Sequence, residues 1–283
     1  MGFISGEELA VTLAPVAVYW LYSGIYEALG SVRALDRYRL HSRRDEESNN
    51  MASKKEVVKG VLLQQAIQVA ISLAVLKLTS EKDGGAGDVK AGHASAPAAA
   101  PSSSSAAAAL LDVAARFGVA MFVLDAWQYF AHRLMHSSRY MYRRFHSWHH
   151  RVVAPYAFAA QYGHPVDGVL TEALSGAAAY LASGLPPRAA AFFLAFATVK
   201  GIDDHCGLLV PWNPLHAAFA NNTAYHDVHH HLSGGRRNFS QPFFVVWDRL
   251  LGTHAGYTVT ARERNNGGGL EAKPICNDRH VLL

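Results

Sequence analysis

The sequence predicts an all-α integral membrane protein, a bundle of about four spanning or hairpin helices that carries a histidine-rich cap on its cytosolic side. Half of the 283 residues are apolar, and they occur in long blocks. About 20 apolar residues are enough to cross a bilayer, so such blocks indicate a membrane protein more than a soluble core. Three clusters of histidine follow these blocks. The net charge of +4 is modest, and no dense basic stripe interleaved with aromatic residues indicates nucleic acid as a partner.

The first part of the chain, residues 1–79, is predicted to hold two membrane helices and a basic loop. Residues 9–30 form the first apolar block, and residues 57–79 form a second that three glutamines interrupt. Amides at that spacing indicate a helix face packed against protein. Between the blocks, residues 31–59 carry eight Lys or Arg against five acids, which is typical of a cytosolic loop. Residues 80–109 are rich in Gly, Ala, Ser and Pro and are expected to form a flexible linker.

The second part, residues 110–255, begins with an apolar helix that continues into the first histidine pair. Residues 168–183 and 188–204 are too short for full spans and are separated by a Gly- and Pro-containing turn. They are therefore predicted to enter the membrane as a hairpin and return. The stretch NFSQPFFVVWDRLLGTH is expected to be either an amphipathic interfacial segment or a buried helix of the cap. Residues 256–283 are expected to be a C-terminal tail.

The predicted orientation brings every histidine of interest to one side of the membrane. If the basic loop is cytosolic, the linker is lumenal and the helix from residue 110 ends in the cytosol at His132. The hairpin then returns His164 and His205 to that side. The segment that follows stays there too, because no further spanning block occurs.

The histidine clusters have the spacing of metal ligands. On a helix, residues three and four apart share a face, so the imidazoles of each cluster are expected to point to a common place. Two clusters repeat the pattern HxxHH, and chance explains this repetition poorly. With His164 and His205 added, the predicted ligands are His132, His136, His146, His149, His150, His164, His205, His226, His229 and His230.

Ten imidazoles are too many for one ion and suit two. A zinc hydrolase normally uses about three protein ligands, and two cysteines, Cys206 and Cys276, exclude a CxxC-type zinc site. Neutral imidazole suits iron, copper and zinc, and two redox-active irons are the leading interpretation. A site at the edge of a membrane indicates a lipid substrate, and a di-iron oxidant indicates attack on an unactivated C–H bond. The spacing alone does not choose between hydroxylation and desaturation.

These motifs resemble a known family. DAWQYFAHRLMH, HSWHH, HPVDG, DDHCG and AYHDVHH together resemble the fatty acid hydroxylase superfamily of membrane di-iron oxygenases, over roughly residues 110–255. VKGIDDHCGLLVPWNPLH and NNTAYHDVHHHLSGGRRNFSQPFFVVWDRLLGT resemble most the plant sphingoid-base C4-hydroxylases within it.

The resemblance implies hydroxylation at C4 of sphinganine or dihydroceramide, to give phytosphingosine-type bases. It implies O2 as co-substrate, two Fe ions held by the ten histidines, and electrons from NADH through cytochrome b5. Cytochrome b5 is expected to be a separate partner, and the enzyme a multi-pass protein of the endoplasmic reticulum membrane with a cytosolic active site. Apart from the resemblance, Asp125 lies on the same helical face as His132 and His136, and it is expected to lie behind the ligands and to orient one of them. Asp204 and Asp227 are expected to have the same role.

Two alternatives remain open at this stage. The same metals could instead serve a sterol C4-methyl oxidase or a C5-desaturase-type enzyme. A membrane metal transporter also has histidines and several helices. Transport, however, needs ligands along a path through the membrane, whereas these gather at the ends of the predicted spans.

Overall fold

A computed structural model describes residues 5–85, 103–231, 236–263 and 267–275. Its helices are α1 (Gly6–Ser31), α2 (Arg43–Asn49), α3 (Lys54–Gly85), α4 (Ser103–Ser137), α5 (Arg139–Arg144), α6 (Pro165–Gly168), α7 (Leu174–Ser183), α8 (Pro187–His205), α9 (Pro214–Ala218), α10 (Thr223–His230) and α11 (Val246–Leu250). A π-helical turn, Val169–Ala173, joins α6 to α7, and short 3₁₀ helices lie at Arg33–Tyr38, His146–Arg151 and Ala157–Ala159. Strands β1 (Tyr257–Ala261) and β2 (Leu270–Pro274) pair antiparallel.

The predicted helical membrane fold is confirmed. Within the described ranges, three helices are long and apolar enough to span a bilayer, namely Gly6–Ser31, Lys54–Thr79 and Ala106–Ser137. Leucines on these helices remain exposed, as expected of side chains that face lipid. The hairpin of α7 and α8 turns at Gly184, whose φ of 59° requires a left-handed backbone that glycine adopts without strain.

Two packing layers place the hairpin between the spans. In one layer α1 packs along α8, and in the other α4 packs along α7. A cluster of buried side chains that includes Leu124, Phe193 and Phe243 holds the second layer together. Tyr19, Val57 and Ile202 belong to another cluster, which ties α1, α3 and α8 to the cap.

The linker prediction is wrong at both of its ends. Residues 80–85 continue α3, and residues 103–109 are the first two turns of α4. Alanine has the highest helix propensity, and the run Ala106–Ala109 therefore joins the apolar helix that follows it. The middle of the predicted linker lies outside the described residues.

The C-terminal region also differs from its prediction. The aromatic stretch before residue 254 is mostly irregular and contains only the short helix α11. In the segment expected to be a tail, β1 and β2 form a two-stranded sheet that packs beside α10 around Leu40, Ala224 and Ala272.

The basic loop and the histidine-bearing cap lie on the same side of the bundle. The backbone N–H of Leu40 donates to Gly207 O at 3.0 Å, and the N–H of Met51 donates to Arg151 O at 2.8 Å. Gly207 has a φ of 68°, and a Cβ there would meet the carbonyl oxygen of Pro155 at 2.7 Å. The chain therefore needs glycine where the end of α8 meets the cap.

Candidate metal centre

Nine of the ten predicted histidines form two adjacent groups. The five-histidine group consists of His132, His136, His146, His150 and His229. The four-histidine group consists of His149, His205, His226 and His230. Within each group one nitrogen of every ring lies within 4.8 Å of the others. All nine side chains are buried or half-buried.

Four segments bring these rings together. The C-terminal end of α4 supplies His132 and His136, which lie one helical turn apart. The 3₁₀ helix His146–Arg151 supplies His146 and His150 to the five-histidine group and His149 to the four-histidine group. Helix α8 ends at His205, and α10 supplies the third cluster. The two HxxHH motifs thus contribute to both groups.

The spacing of the ring nitrogens is that of ligands around an ion. The Nε2 atom of His226 lies 3.0 Å from that of His205 and 3.1 Å from that of His230. His136 and His150 place their Nε2 atoms 3.1 Å apart. Ligand nitrogens about 2.1 Å from a metal are about 3.0 to 3.4 Å from each other in tetrahedral or octahedral geometry. The two groups therefore have the dimensions of two ion sites.

Hydrogen bonds at Nδ1 orient six of the rings. Backbone carbonyls lie 2.8–3.1 Å from the Nδ1 atoms of His132, His149, His205, His229 and His230. The sixth partner is a carboxylate, because Asp167 Oδ2 lies 2.7 Å from His146 Nδ1. A proton fixed on Nδ1 leaves the lone pair on Nε2, which is the arrangement that a metal ligand needs.

Among the nine clustered histidines, two buried Nε2 atoms have no hydrogen-bond partner in the described residues, those of His146 and His229. Burial lowers the pKa of His229 to about 3 and that of His149 to about 4. The rings of His149 and His229 are therefore neutral at pH 7, and an unpaired nitrogen buried inside a protein requires a compensating partner. His146 and His229 both belong to the five-histidine group, where a metal ion would supply that partner. In the four-histidine group, the close Nε2 atoms of His205, His226 and His230 have the spacing of a second ion site, so the donor set fits two metals.

His164 lies outside both groups, so its position does not match the prediction that it is a ligand. Its Nδ1 accepts from the backbone N–H of Val166 at 3.1 Å and caps α6. Its ring packs edge-on against Trp148, with the centroids 5.0 Å apart. The HP motif begins a helix, and the adjacent proline at its first position favours this capping role.

The three predicted orienting carboxylates also have other partners among the described residues. Asp125 Oδ1 accepts from the backbone N–H groups of Phe243 and Phe244 at 2.9 and 3.0 Å, which fixes the loop that follows the third cluster. Asp204 forms a buried ion pair with Lys200.

Asp227 contacts a histidine that the motifs do not include. Its Oδ1 lies 2.6 Å from His41 Nε2, in the basic loop. Burial opposes protonation of His41, but Asp227 outweighs it and raises the pKa. The pair attaches the loop to α10 rather than orienting a ligand.

Sequence reasoning missed Asp167, the carboxylate that does contact a ring of the histidine groups, that of His146. It lies in HPVDG, three residues after His164, and the spacing alone gave no indication that it faces a different histidine. Burial raises the pKa of Asp167, but the adjacent His146 outweighs burial and lowers it overall. The carboxylate is therefore ionised and accepts the Nδ1 proton.

A second carboxylate, Asp248, organises the loop behind the cluster. It accepts from the backbone N–H groups of Phe239 and Ser240 and from the hydroxyl of Tyr225, at 2.7–3.0 Å. Phe239 O in turn accepts from His132. One carboxylate thus holds in place the backbone that orients the ring of His132.

An apolar cavity of about 190 Å³ leads from within the bundle to the histidines. Side chains of α1, α3, α7 and α8 line it, and His205 lies at its end. A smaller cavity adjoins it, lined by His132, His146, His149 and His205. Both cavities share Gln161, Glu172 and Gln241. The apolar cavity thus reaches the four-histidine group at His205, and the smaller cavity borders residues of both groups.

Comparison with known proteins agrees with this geometry. The family model described as fatty acid hydroxylase matches residues 117–253. Sphinganine C4-monooxygenase 2 of Arabidopsis thaliana is 46% identical over 97% of both chains. The chain belongs to the fatty acid hydroxylase family. This family is one of di-iron oxygenases, and the chain is accordingly a membrane monooxygenase.

Two further relatives carry different names. Sphinganine C4-monooxygenase 1 of Arabidopsis thaliana is 48% identical over 97% of this chain and 96% of its own. Very-long-chain aldehyde decarbonylase GL1-9 of Oryza sativa subsp. indica is 44% identical over 97% of both chains. No solved structure matches the chain.

Proposed function

We propose that this protein is a sphingoid-base C4-hydroxylase that acts on sphinganine or dihydroceramide. The nine clustered histidines would hold two Fe ions, which supply the capacity to activate O2. In the overall reaction the C4–H bond becomes C4–OH, the second oxygen atom leaves as water, and NADH provides two electrons. Cytochrome b5 would deliver these electrons as a separate protein.

One observation carries the proposal: an apolar cavity with polar side chains at the end that adjoins the histidines. Sphinganine has the matching distribution of polarity, since its amino group and two hydroxyls lie within a few bonds of C4 and the rest is hydrocarbon. The cavity walls would exclude water from the chain and fix which carbon lies beside the metals. The names of the two Arabidopsis relatives support the same substrate.

The protein would be a multi-pass protein of the endoplasmic reticulum membrane with its histidine groups in the cytosol. The basic loop supports this orientation, since short basic loops favour the cytosolic side and this loop packs on the cap. Arg143 and Arg144 of α5 are exposed immediately before the second cluster. These cations would suit docking of an acidic electron donor such as cytochrome b5.

The test is lipid analysis of a yeast strain that lacks its own C4-hydroxylase and expresses this chain. Mass spectrometry should find trihydroxy bases, and they should be absent with His149→Ala. Altered sterols without trihydroxy bases would contradict the proposal in favour of a sterol oxidase. Metal uptake into proteoliposomes without lipid oxidation would contradict it in favour of a transporter.

A second candidate function follows from the rice relative, whose name is that of a decarbonylase. Such an enzyme would act on very-long-chain aldehydes, which carry a single oxygen atom. The same strain supplied with a long-chain aldehyde distinguishes the two. Formation of the shortened hydrocarbon without trihydroxy bases would favour this second candidate.

A further inference from the structure

Polar side chains, four amides and one carboxylate, form the end of the apolar cavity nearest the histidines. We call this the polar end, and it is formed by Gln64, Gln68, Gln161, Glu172 and Gln241. Four of its members are neutral amides, and only Glu172 can carry a charge. Glu172 lies in the π-helical turn Val169–Ala173. Such turns frequently mark functional sites in helices.

Glu172 has one side-chain partner among the described residues, and that partner is neutral. Its Oε2 accepts from Gln68 Nε2 at 2.7 Å. The other two carboxylates that line the cavities are matched, because Asp204 pairs with Lys200 and Asp167 with His146. In the part of the chain that the structure describes, no Lys, Arg or His pairs with Glu172. A carboxylate inside an apolar region without a counter-ion is costly, and a cationic ligand would remove this cost.

A second polar group at this end also lacks a partner. Gln64 is 2% exposed and lines the smaller cavity, and neither its Oε1 nor its Nε2 has a hydrogen-bond partner. Buried amides are normally paired, so an unpaired one that faces a cavity indicates a site for a polar ligand group. Its donor and acceptor suit a hydroxyl, which can both accept and donate.

We propose that Glu172 is the counter-ion for the ammonium group of a free long-chain base, and that it makes the enzyme prefer sphinganine to N-acylated sphinganine. This inference rests on the proposed function and specifies its substrate. Glu172 and His205 line the same two cavities. The ammonium nitrogen is three bonds of about 1.5 Å each from C4. A base held at Glu172 therefore presents C4 beside the histidines, with hydroxyls near Gln64. Acylation removes the positive charge and with it the pairing.

The experiment measures equilibrium binding of radiolabelled sphinganine and of N-acetylsphinganine to the purified, iron-free full chain in detergent. Glu172→Gln keeps the shape of the side chain and removes the charge. We expect it to weaken sphinganine binding about tenfold to hundredfold, as for a lost charge-assisted hydrogen bond, and to leave N-acetylsphinganine binding unchanged. Glu47→Gln, at an exposed carboxylate of α2, is the matched control and should bind both lipids like the wild type.

A double variant that moves the carboxylate from position 172 to position 68 tests whether the charge itself restores sphinganine binding. Because Gln68 and Glu172 share a hydrogen bond, Gln68→Glu combined with Glu172→Gln restores one carboxylate at nearly the same place. We expect this double variant to recover most of the sphinganine affinity. Unchanged sphinganine binding in Glu172→Gln, an equal loss of both lipids, or no recovery in the double variant would overturn the inference.

The same proteins loaded with iron separate this inference from the proposed function. We expect KM for sphinganine to rise in Glu172→Gln while kcat changes little, because Glu172 acts on binding rather than on the C–H bond. A wild-type enzyme that binds sphinganine but forms no 4-hydroxylated product would contradict the proposed function alone. If the wild-type enzyme hydroxylates C4 and Glu172→Gln has the same KM for sphinganine as the wild type, the inference alone is contradicted.

Discussion

Replacing Asp167 by asparagine should weaken one metal site and leave the other unchanged. Asp167 Oδ2 lies 2.7 Å from His146 Nδ1, and both side chains are almost fully buried, with 6% and 4% exposed. The variant removes the charge, and its amide N–H₂ can donate to Nδ1. That contact would move the ring proton to Nε2, the atom that must bind the metal. The substitution therefore acts on the tautomer of a ligand as well as on the strength of a hydrogen bond.

The expected effect follows from the loss of one orienting contact. Loss of such a partner typically lowers metal affinity about 10- to 100-fold, or about 1.4 to 2.7 kcal/mol. His146 belongs to the five-histidine group, so only one of two metal-binding phases should weaken. Competition with a chelator, followed by calorimetry on the iron-free protein, separates the phases. Asp112→Asn, at an exposed carboxylate that pairs with Arg116, is the matched control.

Two results would refute this reasoning. An unchanged pair of affinities in Asp167→Asn would show that the carboxylate does not set the tautomer of His146. An equal weakening of both phases would show a general loss of structure rather than an effect on one ligand.

Three further predictions concern the ligands and the fold. His164→Ala should retain both metals by mass-spectrometric metal analysis, whereas His205→Ala should lose one; loss of metal in His164→Ala would contradict the ligand assignment. Gly207→Ala should lower the free energy of unfolding by at least about 2 kcal/mol in a chemical denaturation assay, because alanine is strained at positive φ and its Cβ meets a backbone oxygen. Metal-free protein should lose thermal stability as the pH falls from 6.5 toward 4, since His149 and His229 have pKa values of about 4 and 3 when folded and 6.5 ordinarily. Below pH 6.5 the unfolded chain then binds more protons than the folded one, and a flat melting temperature over this range would contradict the burial of neutral rings.

The parts of the fold that depend on local pattern could be predicted from the sequence. Long apolar blocks predicted the membrane-spanning helices, and the short blocks around Gly184 predicted the hairpin of α7 and α8. The HxxHH spacing identified which histidines converge, because neighbours on a helix face one direction. It did not show that each motif divides its rings between the two groups, since this division depends on the tertiary placement of α10 and of the 3₁₀ helix His146–Arg151.

The partners of the ligands could not be predicted in the same way. Asp125 lies on the helical face of His132, and this spacing suggested a contact, but backbone N–H groups from a distant loop occupy its carboxylate. Asp167 and Glu172 obtain their roles from residues brought near by tertiary packing. His164 was assigned from a motif, whereas local capping of α6 determines where its ring points.

The metal content of three purified proteins tests the central claim most directly, namely that the histidines form two separate ion sites. His136→Ala removes a ligand of the five-histidine group, and His226→Ala removes one of the four-histidine group. After reconstitution with iron, elemental mass spectrometry should give two ions per chain for the wild type and one for each variant. A single ion per wild-type chain, or loss of all iron in either variant, would contradict the account.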